Sequence, residues 1–124
     1  MSKGLKYTFL IHTIVGIVFG LAMLLVPATF ASMIKWTPVD TAMGRMFGAI
    51  MVAVGVSSWL AYSASEWAQV RIVAGMEKAL TVLALLASLY SVLVEAAPMF
   101  AWVNAGLFLV FAILFFVFGK EATG

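Results

Sequence analysis

Apolar residues run along this chain in four long blocks, 7–26, 42–64, 70–95 and 99–118, separated by short polar breaks. Each block is close to the roughly 20 residues a helix needs to cross a bilayer. Pro27 ends the first block and Pro98 precedes the fourth; a missing N–H and a fixed φ suit both positions to a change of direction. The pattern predicts an all-α fold, an integral membrane four-helix antiparallel bundle, with 1–124 forming a single membrane domain. Residues 28–41 place Phe30, Met33, Ile34 and Trp36 among Lys35, Pro38 and Asp40. That connector is too polar to span, so 29–36 is expected as a short interfacial helix with Trp36 at headgroup level.

Spacing within the blocks predicts which faces meet protein. Thr8, His12, Gly16 and Gly20 recur at every fourth position of the first, and a GxxxG pair lets a second backbone come close. In the second, Arg45, Ala49, Ala53, Ser57 and Ala61 repeat at the same interval, with Gly44, Gly48 and Gly55 beside them. In the third, Glu77, Thr81, Ala84, Ser88, Ser91 and Glu95 form a polar ladder on one helical face. The third helix is therefore expected at the centre of the bundle. Its two carboxylates lie about 27 Å apart along an ideal helix and cannot act as a pair. In the fourth, Phe108, Phe111, Phe115 and Phe118 continue a face headed by Asn104, read as a lipid-facing or subunit-facing surface.

Composition fixes the class. With 65% hydrophobic and 10% charged residues and a mean hydropathy of +1.17, the chain is far more apolar than a soluble domain. Seven basic residues against five acidic ones give no basis for binding nucleic acid. The absence of Cys removes disulfide relays and thiolate metal sites. Lys3 and Lys6 ahead of an apolar run, with Thr29-Phe30-Ala31 after it, invite a signal-peptide reading. The run 7–26 exceeds the usual 7–15 residues of such a segment and is taken as a span. Lys3, Lys6, Arg71, Lys78 and Lys120 fall on one side, and Lys35 and Arg45 on the other. The positive-inside rule then places the protein in the cell membrane with both termini cytoplasmic.

Depth sorts the polar residues into two groups. Arg45, Glu95 and Asn104 share the outer third, where a guanidinium could hold a carboxylate, a phosphate or a quinone-like carbonyl. The plainer reading, and the favoured one, is that Arg45 snorkels or makes a structural ion pair. His12 and Glu77 share the inner third with Ser57 and Ser58. The pair could move a proton or bind a cation, but the favoured reading is a hydrogen-bonded packing histidine. One His with one carboxylate falls short of a zinc site, so no metal is expected. The hydroxyls of the third helix are either a packing seam, with bonds returned to their own backbone, or a water-accessible path. No Walker loop, HExxH, GxSxG or GxGxxG occurs, and no catalytic residue is assigned.

The Val26-Pro27 step closing the first span, Arg45-x-x-Gly48 opening the second, and Trp59-Leu60-Ala61 near its end together resemble the DoxX-like group of small four-helix membrane proteins. The resemblance covers the first half of the chain. It implies a four-helix membrane fold and, for some members, association with quinone-linked respiratory systems; no catalytic residue carries over.

The expected function is a non-enzymatic accessory or small-ligand or lipid-binding subunit, with ligand contacts at Arg45, Glu95, Asn104, His12 and Glu77. The alternatives are a small oligomeric transporter or ion or proton pathway, and a membrane-embedded enzyme acting on a lipid, sterol or quinone. Expected partners are the bilayer, a homo-oligomer or larger membrane complex, and a lipid or quinone-like ligand. No cofactor is expected.

Overall fold

The computed structural model describes residues 1–122. Five helices make up the fold: α1 Lys3–Leu25, α2 Pro27–Met33, α3 Thr41–Ser63, α4 Trp67–Leu93 and α5 Phe100–Phe118. All but α2 are long and apolar enough to cross a membrane.

Local chemistry sets the helix ends. Ser2 caps α1 by accepting the Leu5 N–H at 3.2 Å, and Asp40 caps α3 by accepting that of Met43 at 3.1 Å. The Gln69 side chain accepts the Glu66 N–H at 3.1 Å and opens α4. Pro27 occupies the first position of α2, where its missing N–H costs nothing. The short helix therefore starts at Pro27 rather than residue 29, immediately after the break at Val26.

A glycine seam joins α1 and α3 as antiparallel neighbours. A Cβ added to Gly20 would sit 2.8 Å from the Val52 nitrogen, and one on Gly16 would sit 3.2 Å from the Met51 oxygen. On the facing helix, a Cβ on Gly48 would strike the backbones of Gly20 and Leu24. The α3 ridge that packs is thus Gly44, Gly48, Met51, Gly55 and Ser58, all buried. The expected ridge led by Arg45 lies one residue round the helix, with Arg45, Ala49 and Ala53 exposed; only its lower end packs, with Ser57 half-buried and Ala61 in the core. Glycine wins this face because it alone admits a backbone at such distances.

Nor is α4, the third long helix, central. It buries Val70, Ala74, Glu77 and Thr81 in its first half, while Leu83, Leu86, Tyr90 and Leu93 are exposed farther on. α1 packs against α2, α3 and α5, and α3 against α1, α2 and α4, whereas α4 meets only α3 and α5. The Phe face of α5 turns inward over most of its length: Phe111 and Phe115 are buried and Phe108 half-buried, while Phe118 is exposed. The Phe115 ring meets that of Phe9 at 5.5 Å between centroids.

The bundle consequently has two unlike halves. Toward the chain termini it is solid, with Leu5, Phe9, Ala61, Val70, Ala74, Phe111 and Phe115 in one cluster. Toward the α2 connector it is hollow.

Candidate functional site

Three helices each contribute one polar side chain where the solid half meets the hollow one. His12 of α1, Ser58 of α3 and Glu77 of α4 are at most 2% exposed. The Ser58 hydroxyl donates to Glu77 Oε1 at 3.1 Å, and Ser58 Oγ lies 3.0 Å from His12 Nδ1. A second approach, Nδ1 to Glu77 Oε2 at 3.5 Å, makes the His–carboxylate pair direct. Hydrogen counting sets the direction of the chain. A serine hydroxyl has one proton; with that proton given to Glu77, Nδ1–H must be the donor to Ser58 Oγ.

Sequence features explain how these groups meet. His12 follows the α1 ridge of Thr8, Gly16 and Gly20, all of which are buried. Ser58 ends the α3 seam one turn beyond Gly55. Because α4 starts at Trp67, Glu77 stands about 15 Å along its helix, well inside the bundle rather than at its boundary. Two phenylalanines close the histidine in, with ring centroids 4.6 Å (Phe111) and 5.5 Å (Phe115) from the imidazole, both edge-on.

The other group expected from depth is not assembled. Arg45 is exposed on α3, and the one ion pair among the described residues is that of His12 with Glu77. Glu95 lies beyond the end of α4, exposed, and accepts from Ser91 Oγ at 3.1 Å. Next to it, Ala96 turns the chain at φ 51. Asn104 is half-buried in α5 and lines a cavity that neither Arg45 nor Glu95 reaches.

The hydroxyl ladder of α4 divides. Thr81 returns its bond to the Glu77 carbonyl at 2.7 Å, the backbone-directed pattern usual for hydroxyls in apolar helices. Thr8 and Thr13 do the same on α1, to Gly4 and Phe9. Ser88 and Ser91 are only half-buried.

The cavity in the hollow half is about 530 Å³, within the size range of small-molecule sites. α1 lines it with His12, Val15, Phe19 and Met23; α3 with Met43, Gly44, Phe47 and Met51; α5 with Phe100, Asn104, Leu107, Phe108 and Phe111. α2 and the connector line the end away from His12 with Phe30, Ala31, Ile34, Trp36, Pro38 and Val39. From His12 to Met23 it runs about 16 Å along α1. Exposure of the lining falls from Pro38, Asp40, Met43 and Phe47 at one end to Met51, His12 and Phe111 at the other, so the mouth is at the connector and His12 is at the floor. The rings of Phe19, Phe30 and Phe100, from three different helices, stand 5.9 to 6.2 Å apart at one wall. No periodicity in the sequence signals that convergence. Among the described residues no group of three His, Asp or Glu side chains is placed to hold a metal ion.

Fold and site together define an all-helical chain, with four helices able to cross a membrane, that encloses a ligand-sized apolar cavity ending on a buried His–Ser–Glu chain. Comparison with protein-family models, curated proteins and solved structures finds no match to it.

Proposed function

We propose that the protein is a multi-pass protein of the cell membrane that takes one small apolar molecule into its bundle, as a ligand-binding or accessory subunit. The observation that carries this reading is the cavity itself: about 530 Å³ walled mainly by Phe, Met, Leu, Ile and Val side chains, with His12 at its floor and Asn104 on its α5 wall. Such a site suits a molecule that already lives in the bilayer, whose apolar surface passes from lipid to the cavity wall without being exposed to water. Both termini are placed in the cytoplasm, on the support of Lys3, Lys6, Arg71, Lys78 and Lys120 at one end against Lys35 and Arg45 at the other. Kinship with the DoxX-like group belongs to the same proposal and rests on the residues in the first half of the chain.

The test is to purify the chain in lipid nanodiscs and identify co-purifying molecules by native mass spectrometry. Leu107→Trp, which fills the cavity from α5, serves as the comparison. A bound small molecule present in the wild type and absent from the variant is expected. Equal occupancy in both would sink the reading.

A further inference from the structure

The cavity floor carries information about the ligand's polar end. His12 lines the cavity, yet its Nδ1 is turned to Ser58 and Glu77. Among the described residues, Glu77 Oε2 is the only fully buried side-chain N or O atom lacking a hydrogen bond. Nε2, which makes no hydrogen bond to protein either, therefore keeps its opening to the cavity. Of the two ring nitrogens it is the one left for a ligand.

Charge narrows the choice further. No Lys or Arg lines the cavity, and its single charged lining residue is Asp40 at the mouth. Behind the imidazole sits the carboxylate of Glu77, 3.5 Å from Nδ1. A carboxylate or phosphate head would meet no Lys or Arg, and the one ring that can carry a positive charge is already balanced by Glu77; an extra buried charge left uncompensated is strongly disfavoured. A cationic head has no carboxylate within the cavity's inner end, because Glu77 is screened by the ring and bonded to Ser58.

With Glu77 accepting from Ser58 and Nδ1–H donating to Ser58, two states of the ring remain. In the neutral ring Nε2 is an acceptor; in the imidazolium, balanced by Glu77, Nε2–H is a donor. A hydroxyl head satisfies both, giving its proton to the first and accepting from the second. A carbonyl satisfies only the second.

We infer that the cavity is a site for a hydroxyl-headed apolar molecule, a long-chain, isoprenoid or sterol alcohol, whose oxygen is held by His12 Nε2 and whose hydrocarbon lies along Val15, Phe19 and Met23 toward the connector. The assignment rests on the cavity being a ligand site. His12 takes its orientation from Ser58 and Glu77, which are positioning residues.

The test uses the full chain in nanodiscs and three probes of one chain length: a primary alcohol, the matching carboxylate and the matching trimethylammonium. Affinities are measured by calorimetry for the wild type, His12→Phe and Leu107→Trp. The alcohol is expected to bind at least about tenfold more tightly than either charged probe, a difference of about 1.4 kcal/mol. His12→Phe is expected to remove that preference, and Leu107→Trp to weaken all three probes. Equal binding of the three probes to the wild type, with loss in Leu107→Trp, keeps the cavity as a binding site and overturns the hydroxyl assignment, as does tighter binding of either charged probe. No binding, or binding that Leu107→Trp leaves untouched, overturns the cavity reading itself. An independent readout needs no variant. His12 is the chain's single histidine, so one pair of imidazole ¹⁵N resonances reports on the site. The alcohol is expected to shift Nε2 more than Nδ1, and an unmoved Nε2 in the presence of bound alcohol refutes the contact.

Discussion

Glu77 Oε2 approaches His12 Nδ1 to 3.5 Å and has no hydrogen bond of its own. The two residues therefore depend on each other unequally. His12 retains Ser58 if Glu77 loses its charge, whereas Glu77 without His12 is a buried carboxylate with one serine for company. His12→Leu is expected to destabilise the fold by about 3–5 kcal/mol, the usual cost of breaking a buried pair, and Glu77→Gln by clearly less. The double variant His12→Leu/Glu77→Leu should cost less than the sum of the two single leucine replacements, because no stranded charge remains. Reversible unfolding in mixed detergent checks all of these, and equal losses for His12→Leu and Glu77→Gln would contradict the asymmetry.

Ser58 is the joint between these groups, and its removal leaves Glu77 Oε1 without the donor seen at 3.1 Å. Ser58→Ala should lower stability by about 1–3 kcal/mol, the cost of an unsatisfied buried acceptor. Ser57→Ala, one residue round the helix and half-buried, should be near neutral. A reversed order would show that Ser58 is not the bridging residue.

The glycines separate into two kinds. Gly48→Ala puts a methyl into the backbones of Gly20 and Leu24 and is expected to force α1 and α3 apart, with a large fall in thermal stability. Gly75 and Gly106 have no atom within 4 Å of an added Cβ. Alanine there should stabilise by roughly 0.5–1 kcal/mol through helix propensity. Thermal unfolding of the three variants side by side decides the matter, and a tolerated Gly48→Ala would refute the close seam.

Arg45 and Glu95 should be uncoupled. Both are exposed, and no ion pair joins them, so Arg45→Ala, Glu95→Gln and the double variant should all unfold at the wild-type temperature. A coupling between them in that cycle would show that they meet in the membrane after all.

Much of this architecture was legible in the order of residues, and the reasons are local. Four apolar blocks and their prolines mark four long helices because helix length and hydropathy are properties of contiguous sequence. Gly16 and Gly20 mark a contact face for the same reason. Depth alone placed His12, Glu77 and Ser58 at a common level, and the structure brings those three together. What was hidden is rotation. Arg45 and Gly44 are neighbours in sequence but stand about 100° apart round the helix, and which of the two points inward is decided by the partner helix, through contacts such as those of Gly48 with Leu24. The Phe ladder of α5 fails as a lipid-facing surface on the same ground. Its periodicity identifies a face without saying what lies opposite, and what lies opposite Phe111 and Phe115 is His12. The cavity, lined from four helices and a connector, has no signature in any one of them.

One division of labour follows from the path of α4. That helix supplies no residue to the cavity wall, yet it supplies the carboxylate behind the floor. The carboxylate behind the floor is thus written in a different part of the chain from the walls. Substitutions on α1, α2, α3 and α5 can lengthen or narrow the space without touching the carboxylate, and a single exchange at position 77 can change the electrical character of the floor without moving a wall.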